Sequence, residues 1–202
     1  SRWAGGVGAR WPRSPKLPKA LRAGTLLENL AGDPASAYYA DLTFLKPRDT
    51  RRLLGLGDGT GLDGNPIYEA ITAAYRRGPA GDPVQQAEYA DLKIYLPNDP
   101  LVKVDRMSMA HGLEVRCPLL DRRVVELAFR IPSARKQTWR ESKRLLRLLA
   151  RRRLPAGLWQ LPKRGFHAPV GAWIAGPHAA VFRDEVLGGG SAIGAVVDVN
   201  DL

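Results

Sequence analysis

Apolar residues recur at three- and four-residue intervals along most of the chain, and that spacing predicts helices rather than strands. Around Pro34 to Thr43, Asp33 stands as N-cap before a proline, and Tyr38, Leu42 and Leu45 return at helical intervals. Thr25 to Leu30 carries the same spacing. A short helix starts near Pro47 and ends at a glycine of RDTRRLLGLGD, and Ile67 to Arg76 forms another. Asp82-Pro83 opens a helix whose Tyr89, Leu92, Tyr95 and Leu96 share one side, and Asp99-Pro100 repeats the cap-plus-proline start for a helix ended by Gly112 near His111. Asp121 caps a helix through Arg130, stopped by Pro132. Thr138 with Glu141 reads as a capping box for a helix from Trp139 to about Arg153, closed by Pro155. A short helix follows from Pro169 to Ala175, and Asp198 has the form of a cap for one more. Residues 1 to 24, rich in Gly, Pro and Arg, predict a loop with one short helix near Leu17 to Leu21. No convincing parallel strand, repeat or low-complexity tract interrupts the series, so the fold expected is mainly α.

The helix from Pro100 to His111 breaks the usual division of faces. Leu101, Val102, Val104, Met107, Met109 and Ala110 surround its axis, with Lys103, Asp105 and Arg106 between them. Such a helix is expected to be mostly buried. Buried charges cost several kcal/mol each unless paired or serving a ligand. Glu114 and Arg116, past the Gly112 break, are natural partners. Two readings remain open at this point: a structural ion-pair network under a helix corner, or a polar pocket that positions an anionic substrate.

Composition narrows the class. At 202 residues the chain is long enough for a real core, and 45% hydrophobic with 25% charged is ordinary for a folded domain. No apolar run approaches the roughly 20 residues that span a bilayer. One cysteine, Cys117, and three scattered histidines offer neither a disulfide nor ligand spacing for a metal, so a reducing, cytoplasmic setting is expected. The chain opens on Ser1, which suggests a piece of something longer.

The net charge of +11 is unevenly placed. Between Arg135 and Arg164 eleven Lys or Arg face the single Glu141, whereas Asp184 to Leu202 holds four acids and no base. Arg140, Lys143, Arg144, Arg147 and Arg151 form a stripe at helical spacing, with Ser142, Leu145, Leu146 and Leu149 opposite. A solvated basic face explains the stripe, and the absence of a recognised reader module or interleaved aromatic residues argues against nucleic acid. In LPKRGFHAPVGAW, two cations sit beside a glycine in a loop pinned by Pro162 and Pro169. Lys163 there is either a solvated loop lysine or a mobile point charge suited to a reacting phosphate. GTGLDG resembles a phosphate-cradling loop but lacks the preceding buried strand and reads as a surface loop. Neither a G-x-S-x-G elbow nor an H-E-x-x-H helix is present.

The stretches DLKIYLPNDPLVKVDRMSMAHGLEVRCPLLDRRVVELAFRIP and LPKRGFHAPVGAWIAGP together resemble the C-terminal synthetase part of the asparagine synthetase family, the glutamine-dependent amidotransferases. The gap-free pattern Y-L-P-x-D-x-L-x-K-x-D-R-x-S-M-A-x-x-x-E-x-R-x-P-x-L-D carries the likeness, which is clearest from Asp91 to about Pro177. The resemblance implies a helical part of an α/β, adenine nucleotide α-hydrolase-like (PP-loop ATP pyrophosphatase) synthetase domain whose parallel sheet is largely missing, with residues 1–202 as one partial domain. It implies ATP and Mg²⁺, bound mainly by the missing half. Adenylation of the aspartate side-chain carboxylate is followed by attack of ammonia derived from glutamine on an N-terminal glutaminase domain, a route to asparagine. By the same resemblance Lys163 and Glu114 are catalytic; Arg106 and Arg116 bind substrate or nucleotide, and Lys103 and Asp105 support them. The pocket reading is thereby favoured, with Arg106, Glu114, Arg116 and Lys163 expected around one hollow. No protein-held metal site is expected, and a homodimer is compatible with the family.

The departures are equally definite. The S-G-G-x-D-S loop of the family is missing, no glutaminase domain precedes the helices, and Cys117 occupies a position where the family more often has a small apolar residue. The chain is therefore expected to begin after the ATP-binding half and to be inactive alone. Related enzymes of polysaccharide, peptide or β-lactam pathways are the alternative family reading, and a non-enzymatic basic helical module is the alternative outside it.

Overall fold

The computed structural model describes residues 29, 32–57, 62, 64–138, 140–161, 168–188 and 192–197. These residues are helical, with no β-strand among them. They divide into two compact units, residues 1–42 with 66–160 and residues 43–65 with 161–202. The expected helices at Leu17 to Leu21 and Thr25 to Leu30, the Asp198 cap, most of GTGLDG and Lys163 with its loop lie largely or wholly outside the described residues.

The core of the first unit is built by α1 (Pro34–Leu42) and α3 (Pro66–Arg76), against which α4 (Pro83–Ala90) packs. Ala35, Tyr39, Ile71, Thr72, Ala74, Tyr75, Gln85 and Ala90 are buried there. Asp33 caps α1 as expected, its carboxylate accepting from the Ser36 N–H at 3.2 Å and pairing with Arg76 at 3.3 Å. The Tyr38 and Tyr75 rings meet with centroids 5.3 Å apart, and the Tyr38 hydroxyl donates to Asp91 Oδ1 at 2.7 Å. Burial first, and then the Asp91 carboxylate, push the Tyr38 phenol far above its ordinary range, so it remains a neutral donor.

The chain does not restart at Asp99-Pro100. It continues from α4 through two π-helical segments, Asp91–Tyr95 and Pro97–Leu101, into α5 (Val102–Met109). Pro97 and Pro100 supply no backbone N–H, and the wider π register accommodates them without ending the helix. Asp99 is consequently an interior residue and pairs with Lys103 at 2.7 Å instead of capping. Gly112, at φ 67°, ends α5 as expected, and the Leu113 N–H returns to the Ser108 carbonyl at 3.0 Å.

After the 3₁₀ turn Pro118–Leu120 comes α6 (Arg122–Arg130), with Asp121 accepting from the Arg123 N–H at 2.9 Å. Then α7 (Ser133–Lys136), absent from the sequence reading, fastens this region to α4. The Ser133 hydroxyl lies 2.7 and 2.6 Å from the two Asp82 oxygens, Gln85 Nε2 donates to the Ile131 carbonyl at 3.0 Å, and Lys136 pairs with Glu88. The helix expected from Trp139 begins instead at α8 (Arg144–Arg153). Thr138 and Glu141 do form the capping hydrogen bond, at 3.0 Å, but the Thr138 N–H also bonds the Glu141 carbonyl at 2.8 Å. That closes a local turn, and Lys143 then sits at φ 55°, in the left-handed region that interrupts a helix. A short α9 (Ala156–Trp159) completes the described part of this unit.

The second unit holds α2 (Pro47–Leu53), ended near Gly55, with α10 (Val170–Ala175), α11 (Ala179–Val186) and a 3₁₀ turn at Ala192–Ala195. Among the described residues no helix is long and apolar enough to cross a membrane.

Candidate functional site

The expectation that α5 is mostly buried is corrected. None of its residues is buried: Met107 is 66% and Met109 56% exposed, and Val102 and Val104 are exposed too. The physical reason lies in the packing. α1 and α3 use their apolar faces on one another and on α4, while α7 fastens to α4 through polar contacts, so neither arrangement covers α5. Its charges therefore carry no burial cost in this structure, and the premise that they need a compensating ligand falls away.

Each expected site residue has a definite place. Lys103 reaches back one turn to Asp99, and that carboxylate raises its pKa above the ordinary lysine value. Asp105 lines a hollow of about 380 Å³ shared with Pro97, Leu101, Val102, Val104, Val115 and Cys117, and is the one charged residue on that lining among the described residues. Arg106 is exposed in the last turn of α5. Glu114 and Arg116 lie in the non-helical segment after Gly112 and pair with one another at 2.6 Å, with side chains 71% and 80% exposed. An ion pair so open to solvent contributes about 0–1 kcal/mol to stability. The structure thus joins Glu114 to Arg116 and Lys103 to Asp99. It puts Asp105 on a hollow beside Leu101, Val102, Val104 and Val115, and Lys163 is outside the described residues.

The sequence reading missed Asp99 as the partner of Lys103, although their four-residue spacing was the available signal. It also missed that Arg135, carried on α7, joins the stripe of α8. Arg135, Glu141, Arg144, Leu145, Leu148 and Arg151 surround a second hollow of about 260 Å³. Arg135 could not be grouped with Arg144 by helical spacing, because a turn separates their helices.

Mg²⁺ was the metal implied by resemblance. Among the described residues no group of three or more His, Cys, Asp or Glu side chains could hold a metal ion.

Comparison with known proteins supplies what the geometry leaves open. The asparagine synthase family model matches residues 4–200. A Mycobacterium tuberculosis protein, provisionally named a glutamine-hydrolysing asparagine synthetase, is 29% identical over 187 residues, covering 92% of this chain and 28% of the relative. Asparagine synthetase (glutamine-hydrolysing) 1 of Bacillus subtilis is 27% identical over 159 residues, 78% of this chain and 24% of its own length. The amidase chry2 of Gibberella zeae is 28% identical over 139 residues, 61% of this chain and 21% of its own length. The chain spans about a quarter of the length of these curated relatives. No solved structure matches it.

Proposed function

This chain belongs to the asparagine synthase family of ATP-dependent amidotransferases, and on that premise we propose that it is the helical, substrate-facing part of a synthetase domain that converts aspartate to asparagine. In the complete protein the aspartate side-chain carboxylate attacks the α-phosphorus of ATP, an acyl-adenylate forms and pyrophosphate leaves. Ammonia, released from glutamine by a separate domain, then attacks the acyl carbon; AMP leaves and the surplus proton passes to a base. The observation that carries this reading is the family match across residues 4–200, which includes the whole segment bearing Lys103, Asp105, Arg106, Glu114 and Arg116.

The residues take these roles. Lys163 neutralises charge building on the α-phosphate and on departing pyrophosphate, as a preorganised cation does for a transition state. Glu114 accepts the proton from incoming ammonia or holds Arg116 in place, and its pairing with Arg116 supports the second of these in the state described. Arg106 and Arg116 attract the anionic substrates, with Lys103 and Asp105 in support. The described residues hold no metal-ligand set, and Mg²⁺ would be held by the ATP phosphates and by residues outside them, where it would neutralise phosphate charge.

An exposed face carrying both charges and large apolar side chains suits a surface that another part of the protein covers. We accordingly expect the 202-residue chain alone, given aspartate, ATP, Mg²⁺ and ammonia, to release no pyrophosphate above background, and the longer parent protein to release it stoichiometrically with asparagine. Pyrophosphate release from the isolated chain would overturn the view that it is only part of the catalytic unit. A parent that amidates a different acid would shift the acceptor to the polysaccharide, peptide or β-lactam classes.

A further inference from the structure

We propose that α7 and α8 form a site for a small oligophosphate anion, with Arg135, Arg144 and Arg151 as its cations. This stands independently of the acyl-adenylate reading. Among the described residues, the hollow of about 260 Å³ between these helices is lined by three arginines, one glutamate and two leucines. Its size suits a chain of two or three phosphoryl groups rather than a polymer. Arg144 and Arg151 stand two turns apart on one face of α8, about 10 Å along its axis, and Arg135 approaches from the neighbouring helix. Cations converging from separate positions make a pocket, whereas the stripe alone is a face.

The arginines retain donors for a ligand. Arg144 reaches Glu141 at 3.9 Å, the long limit of an ion pair, so most of its planar fork remains open. The Arg151 guanidinium lies 4.8 Å from the centre of the Trp159 ring. A cation–π contact of that kind restrains the group without consuming its N–H donors in an ion pair. Arg135 forms no side-chain ion pair with the described residues. Leu145 and Leu148, both partly exposed, line the hollow between the arginines. A nucleic-acid strand would need several aromatic platforms in series for its bases, and among the described residues only Trp159, already engaged by Arg151, adjoins this hollow. Glu141 opposes the ligand and is the reason the empty hollow is not more positive.

Isothermal titration of the 202-residue chain with inorganic tripolyphosphate, at low ionic strength and without divalent metal, tests the site. Saturable one-to-one binding is expected. It should weaken at least about tenfold in Arg135→Ala/Arg144→Ala, in line with loss of two charge-assisted contacts, and tighten in Glu141→Gln. Arg122→Ala/Arg130→Ala removes the same charge from α6 and should change binding far less. Should the first double variant lose helical circular dichroism, Arg144→Gln compared with Arg122→Gln makes the same comparison with helix-favouring side chains. No saturable binding, or equal weakening by both pairs of substitutions, overturns the proposal. An oligonucleotide that binds where tripolyphosphate does not would overturn it in favour of a nucleic-acid face.

Discussion

Single side chains decide the chemistry proposed and the fastening of the fold. The proposed mechanism gives Lys163 its strongest role, so Lys163→Ala in the longer parent should lower asparagine synthesis by about 10²–10³ while glutamine hydrolysis persists. Separate assays of glutaminase and synthetase activity check this, and unimpaired synthesis would remove the lysine from the mechanism. Ser133 tests the structure instead. Its hydroxyl is the first cause holding the Asp82 carboxyl below the ordinary carboxylate range; desolvation opposes it as the next largest effect, and backbone N–H groups of Gln85, Ser133 and Val84 assist the lowering. A folded pKa depressed in this way stabilises the fold above the unfolded value, near about pH 4, and the contribution fades as pH falls through the folded value. Ser133→Ala should therefore melt earlier than the parent chain near neutral pH, with the gap closing under acid. Thermal melts across pH would show a constant gap if the Asp82 link were not responsible.

At the scale of elements, two glycines separate backbone strain from steric fit. Gly112 holds φ 67° with open space where a Cβ would go. Gly112→Ala should cost about 1–2 kcal/mol through the left-handed conformation alone. Gly78 follows α3 and lies against α4, where an added Cβ would stand 2.5 Å from the Gln86 Cα. Because that neighbour is backbone, Gly78→Ala must push the helices apart, and about 1–3 kcal/mol is expected. Chemical denaturation measures both, and only the second substitution should also disturb the near-ultraviolet signal of Tyr75 and its neighbours. Helix ends were legible wherever a cap side chain and a proline or glycine acted locally, as at Asp33, Asp82, Asp121 and Gly112. The same local rules failed at Asp99-Pro100, where a π register absorbed the prolines, and at Thr138, where a competing turn consumed the cap.

For the molecule as a whole, the uneven distribution of buried apolar surface is the dominant feature. Burial concentrates around α1, α3 and α4, while Met107, Met109, Leu113, Val115 and Leu119 stand exposed in one continuous stretch of sequence. Large apolar side chains left exposed in such number promote association. The isolated chain should bind a hydrophobic dye and self-associate as its concentration rises, and the longer parent should do so less per chain; sedimentation and dye fluorescence report the difference. Equal dye binding would show that the stretch remains uncovered in the parent. The helical class, the capped termini and the family pattern from Tyr95 to Asp121 were determined by sequence alone, because each depends on residues within a few positions of one another or on an unbroken motif. Tertiary structure alone decided that the charged helix α5 is exposed, that Asp82 is tied to Ser133 and that Arg135 meets Arg144 and Arg151. Burial and convergence depend on which distant segments come to cover a residue, and periodicity carries no record of that.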